Sequence, residues 1–254
     1  MESIAVLLLV VGLVLLFGYR RWGARWPGFV DPRAVRVVLA KNFIYYQRLS
    51  LQQQQIFEQR VIRFIRQKQF IGRGLEVNQT MRVLIAAAAV QLTFGLPDIA
   101  LRHFKRIIIY PDQYYSTITH RYHKGEVNPA AQAIVLSWNN FLAGYAQPED
   151  SLNLGLHEMA HALEIENMVE NDEYDFLSPV LWQRWQEQAR VYRASMQHQP
   201  SALFRDYAAT NDQEFFAIAV ENFFERPTTF KAHAPELYDT LTQLLRQDPT
   251  ANLA

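Results

Sequence analysis

Residues 156–167 read LHEMAHALEIEN and contain an HExxH pattern made by His157, Glu158 and His161. Two histidines four positions apart on an α-helix stack on one face, one turn apart, so their ring nitrogens can meet at a single point. Glu158 is turned about 100° further round the helix axis, which lets it serve that point as a general base without ligating it. The pattern therefore demands a helix through these residues, a face of it open to a cleft, and a further ligand delivered from elsewhere in the chain. An ordinary polar stripe on an amphipathic helix would show the same five letters, and context is what favours metal. The pentad follows an apolar, strand-like stretch, and Leu152, Leu156, Met159 and Leu163 give the helix a buried side apart from the histidines. Asp150 or Ser151 is the expected N-cap.

Cysteine is absent, which excludes a disulfide framework, a thiolate ligand and a thiol nucleophile, so a metal must be held by His and carboxylate groups. Half of the 254 residues are apolar, enough for one sizeable core. The 25 Lys and Arg balance the 25 Asp and Glu; nothing here suggests the broad basic surface that DNA or RNA requires, and nucleic acid is not an expected partner.

The amino terminus, MESIAVLLLVVGLVLLFGYRRWGARW, contains an uncharged run at residues 3–19, near the lower length limit for a single transmembrane helix in a lipid bilayer. Only Glu2 precedes it, and Tyr19, Arg20, Arg21 and Trp22 follow, the composition of an interfacial anchor rather than a cleavage site. Between residues 20 and 50, Arg20, Arg21, Arg25, Arg33, Arg36, Lys41 and Arg48 stand against Asp31 alone. The positive-inside rule then gives a single-pass protein of the inner (cytoplasmic) membrane with its catalytic domain in the cytoplasm. The expected organisation is an anchor at 1–19, a basic juxtamembrane linker at 20–40 and one domain at 41–254.

Within that domain, residues 51–70 carry Ile56, Val61, Phe64 and Ile65 at the spacing of a surface helix. Residues 80–94 are uniformly apolar but too short for a second span, and Gly95 and Pro97 end them, which predicts a buried helix. RIIIY at 106–110 and AIVLSW at 133–138 read as strands, with His120 and His123 in a loop between them as surface groups. Helices are expected over 181–196 and, last, from Thr210 or Asn211 through Glu225, stopped by Pro227, with Phe215, Phe216, Phe223 and Phe224 packed behind the ligands. The fold class is α+β, mainly helical with a small β-sheet, preceded by one transmembrane helix.

Two histidines leave a metal site incomplete. The stretch DYAATNDQEFFAIAVENFFERP offers Glu214 and Glu221, seven apart and on one helix face. Either carboxylate would serve, and Glu214 also fits a capping box begun by Asn211, so spacing leaves the choice open.

The succession IIIYP, IVLSW, HEMAH and YAATNDQEFF, followed by ENFFE, resembles the zinc peptidases of the Mlc titration factor A family over roughly residues 45–250. The site of that family is similar to that of lethal-factor-like gluzincins. Ala162 and Glu164 stand where the family commonly has Lys and Asp. The resemblance implies a zincin-like metallopeptidase domain with one Zn2+ per chain held by His157, His161 and Glu214. It makes Glu158 the general base and Tyr207, the Tyr of YAAT, the donor on the oxyanion side, a role a phenol hydroxyl beside a metal can fill. Glu221 is then a candidate to hold a histidine N–H. The implied function is hydrolysis of peptide bonds in a peptide or protein substrate. A second function class is a membrane-tethered regulatory module that keeps the zincin fold but captures another protein with little or no hydrolysis; the sequence identifies no such regulator. The 133–138 strand either offers a sheet edge to extended peptide or lies inside the sheet.

Overall fold

The computed structural model describes residues 30–116, 120–147, 150–198 and 201–253. The anchor expected at residues 3–19 lies outside them, and among the described residues no helix is long and apolar enough to cross a membrane. Asp31 caps α1 (Pro32–Asn42) by accepting the Arg33 N–H at 2.9 Å, with Pro32 in the first turn where its missing N–H costs nothing. Val35 and Leu39, four apart, are fully buried. From residue 32 onward the expected linker is therefore part of the core, although of the apolar residues of α1 only Val35 and Leu39 are buried and Val37 is exposed. After α2 (Ile44–Gln47) comes α3 (Leu51–Gln67), whose Glu58 accepts the Arg36 guanidinium through both oxygens at 2.9 Å and the Tyr46 hydroxyl at 2.6 Å. That buried carboxylate fastens α1 to α3. Phe57 rather than Ile56 enters the core from α3.

The strands are β1 (Gln69–Gly72), β2 (Arg106–Tyr110), β3 (Tyr114–Ser116), β4 (Arg121–His123), β5 (Gly125–Asn128) and β6 (Ala133–Ser137). β1, β2, β6 and β5 form one sheet in that order; the first three are parallel and β5 runs antiparallel to β6. β6 is thus internal, which accounts for its continuous apolar run, and the strand exposed at this edge is β5. β3 and β4 pair as a separate hairpin with Tyr115 opposite Tyr122.

Between β1 and β2 lies α4 (Gln79–Thr93), buried from residue 83 to its end as its composition predicts. After β6 come α5 (Trp138–Ala146), α6 (Leu154–Met168), α7 (Pro179–Met196), a 3-10 turn at Asp206–Ala209, α8 (Asp212–Glu225), α9 (Pro227–His233) and α10 (Pro235–Leu245). α6 packs between α4 and α8, and small residues allow the approach: a Cβ on Gly155 would stand 2.7 Å from the Phe141 ring and 3.3 Å from Ala88. The pentad helix begins later than expected. Asn153, not Asp150 or Ser151, caps α6, its side chain accepting the Leu156 N–H at 3.0 Å, and Leu152 is outside the helix and exposed. α8 is not the last helix. Pro227 opens α9 at its first turn, and Phe230, Tyr238 and Leu241 from α9 and α10 are buried with Phe215, Phe216 and Phe223 of α8.

Candidate metal centre and its cleft

α6 presents His157 and His161 from one face. Asn211 caps α8 by accepting the Glu214 N–H at 2.8 Å, which sets the first turn of α8 so that the Glu214 carboxylate meets both rings. Nε2 of His157 lies 3.3 Å from Glu214 Oε2, Nε2 of His161 lies 3.6 Å from Glu214 Oε1, and the two ring nitrogens are 3.1 Å apart. Ligands about 2.1 Å from a tetrahedral zinc stand about 3.4 Å from one another. The donor set therefore fits a zinc ion, and Glu214 Oε2, buried without a hydrogen-bond partner, is an atom a cation would satisfy. His, His and Glu here place one ligand atom each within 4.8 Å of the others.

Glu221, one exchange of two turns along the same face of α8, reaches the other side of the same ring. Its Oε1 is 2.7 Å from His157 Nδ1. Only 1% exposed, it also accepts the Asn153 backbone N–H at 2.8 Å and the Arg205 guanidinium at 2.7 and 3.2 Å. The two carboxylates left open by spacing are thus complementary: one faces Nε2, the other fixes Nδ1.

Glu158 is buried beside this trio, with Gly125 of β5 packed against it: a Cβ on Gly125 would fall 2.3 Å from its Oε1. Burial, helped by the charges of Glu214, Glu221 and Glu126 and opposed by His157, pushes the Glu158 carboxyl up to about 7. Burial and the neighbouring His157 push His161 down to about 4. Burial alone would lower His157, but the carboxylates of Glu214 and Glu221 beside its two ring nitrogens push it up to about 10. Burial would raise Glu214 as well, but its contacts with His157 and His161 hold it below the usual carboxylate range. Tyr207, on the 3-10 turn, is 54% exposed; partial burial and the nearby Glu214 carboxylate raise its phenol.

These groups line a cleft of about 360 Å³ that also takes in His123, Glu126 and Glu164. The structure brings together His157, Glu158, His161, Tyr207 and Glu214. It separates the two background histidines: His120 is exposed, while His123 lines the cleft. Sequence reasoning missed Arg205, Asn153 and Gly125. Arg205 lies two positions before Tyr207, but no local periodicity marks it, and Gly125 is required only because Glu158 arrives from another element.

Two histidines and a glutamate from two helices, with a buried carboxylate alongside, define a site of the metallopeptidase class. The chain belongs to the family described as glucose-regulated metallo-peptidase M90, which matches residues 29–246. That match starts three residues before α1 rather than at residue 41, in keeping with the buried Val35 and Leu39. The chain is similar to an uncharacterized protein of Synechocystis, 26% identical over 269 residues that span 97% of this chain and 98% of that protein. It is also 26% identical over 213 residues to Mlc titration factor A of Salmonella agona, covering 75% of this chain and 78% of that protein, and equally to that of Salmonella arizonae, covering 82% of it.

Proposed function

We propose that this chain is a zinc-dependent peptidase, with His157, His161 and Glu214 holding one zinc per chain. The observation that carries the reading is the convergence of those three ligand groups beside a buried Glu158 within one open cleft. Zinc, when bound there, supplies Lewis acidity, which polarises the scissile carbonyl and makes water a nucleophile near neutral pH. Glu158 accepts the proton of the attacking water at its carboxylate and returns it to the leaving nitrogen. The Tyr207 hydroxyl donates to the carbonyl oxygen as it gains charge. Glu221 accepts the Nδ1–H of His157, so that Nε2 faces the cleft. β5, at the sheet edge and lining the cleft, takes over the strand-addition role considered for residues 133–138.

Metal analysis of the purified protein should give about one zinc per chain, lost in His157→Ala. Glu158→Gln should keep zinc but cleave a peptide library about 10²–10⁴-fold more slowly. Equal turnover by wild type and Glu158→Gln would remove the hydrolytic reading. It would favour the second one, in which the zincin fold captures another protein, a reading suggested by the name titration factor that some relatives carry.

For residues 3–19 we propose a single membrane anchor with the catalytic domain in the cytoplasm, supported by hydropathy and the basic flank alone. Full-length chain should sediment with inner membranes and a chain lacking residues 1–27 should not; identical partitioning of the two would refute it.

A further inference from the structure

A second cavity, of about 130 Å³, shares no lining residue with the metal cleft. Three side chains that line it end in buried oxygens without a hydrogen-bond partner: Gln91 Oε1, the Tyr145 hydroxyl and Glu225 Oε2. Gln91 is only 6% exposed. Folded proteins leave few such atoms, and three on one cavity, two of them acceptors and one a hydroxyl, mark a place that calls for hydrogen-bond donors. Glu225 Oε1 accepts the neutral Asn153 Nδ2 at 3.0 Å, and none of the ion pairs among the described residues includes Glu225. Arg48 also lines the cavity but makes no ion pair with Glu225, and burial pushes the Glu225 carboxyl up to about 8. Aromatic rings supply the walls: Phe43 and Tyr145 lie 5.2 Å apart between centroids, and Tyr45 meets Phe224 edge-on at 6.0 Å.

We propose that this cavity binds a small primary ammonium compound, its NH3+ donating to Glu225, Gln91 and Tyr145 and its carbon stem lying against the aromatic walls. An ammonium carries three N–H donors, one for each unpartnered oxygen, and aromatic faces favour a cation. The volume equals that of about four water molecules at roughly 30 Å³ each, room for a ligand of about four to six heavy atoms. The site is joined to the metal centre through one residue. Asn153 gives its side-chain N–H to Glu225 and its backbone N–H to Glu221, which holds His157. An amine that draws on Glu225 therefore acts on the residue that also fixes the metal helix.

The test is calorimetric titration of the full zinc-loaded chain with n-propylammonium chloride and with its neutral isostere 1-propanol, at matched ionic strength. Saturable binding of the amine, at least tenfold tighter than the alcohol, is expected, with a loss of tenfold or more in Glu225→Gln and of about threefold in Tyr145→Phe. The variant His157→Ala, which should lack zinc, should still bind the amine saturably, its affinity shifted by less than in Glu225→Gln, separating this cavity from an amine bound at the metal. Equal affinity for amine and alcohol, undiminished binding in both cavity variants, or loss of binding in His157→Ala alone overturns the proposal. If Glu225→Gln does not fold, the milder Tyr145→Phe decides. Absence of saturable binding by wild type means that the cavity holds water only.

Discussion

Replacing Glu221 by glutamine asks whether the second carboxylate of α8 acts through His157. The native group accepts four hydrogen bonds: from His157 Nδ1 at 2.7 Å, from the Asn153 N–H at 2.8 Å, and from Arg205 at 2.7 and 3.2 Å. Glutamine offers one acceptor oxygen, and its NH2 must then face a donor, either the imidazole N–H or the Arg205 and Asn153 N–H groups. A hydrogen bond to a charged group is worth about 1.5–3 kcal/mol. Arg205 is partly exposed and can turn to water, so the expected loss of stability in the metal-free protein is at the low end, about 2 kcal/mol. With the His157 ring no longer held, zinc affinity should fall about 10–100-fold, or about 1.4–2.7 kcal/mol. Competition against a chromophoric chelator measures the zinc affinity, and urea unfolding in excess chelator the stability. Unchanged zinc affinity beside a loss of stability would refute the positioning role and leave Glu221 a structural brace for Arg205 and the α6 cap.

Gly125→Ala should displace Glu158 while sparing the ligands, because the new methyl would occupy the place of its Oε1; turnover is expected to fall about 100-fold or more with zinc content unchanged, at the scale of a lost general base. Leu39→Ala should cost about 2–4 kcal/mol in urea unfolding, since Leu39 is fully buried, whereas a true linker residue would cost under about 0.5 kcal/mol. Glu225→Gln addresses pH. The folded carboxyl is raised to about 8 from 4.5, so the folded state binds more protons than the unfolded state across that window and stability falls as pH rises through it. The variant should gain on wild type between pH 5 and 8 by up to a few kcal/mol, read from thermal unfolding in matched buffers; a constant difference across that range would count against the buried, uncompensated acid.

The parts of the fold legible in sequence are those whose cause is local. α4 announces itself because it is apolar on every side, α7 by its helical composition, and β2 and β6 by short apolar runs closed by turns. α1 escaped because its apolar residues are spread round the helix and only Val35 and Leu39 are buried. β5, with the sequence GEVN, escaped because it carries no alternation; it is a strand because β6 lies beside it. The break at Pro227 was read as a stop, but a proline that ends one helix can open the next. The cap at Asn153 was missed in favour of its neighbours Asp150 and Ser151, both equally able to accept from a first turn.

For the centre itself, the pentad could be read from sequence because four residues make about one helical turn, so chain geometry alone puts His157 and His161 together and Glu158 beside them. The same reasoning placed Glu214 and Glu221 on one face of a later helix but could not say which served the metal. Tertiary packing gives each a distinct place: with α8 laid against α6, the two carboxylates, about 10 Å apart along their helix axis by its rise of 1.5 Å per residue, bracket the two nitrogens of the single ring of His157, Glu214 at Nε2 and Glu221 at Nδ1. Arg205, Asn153 and Gly125 belong to the same category. Their roles depend on groups that come within contact only after distant segments pack, and no spacing along a chain encodes a distance between helices.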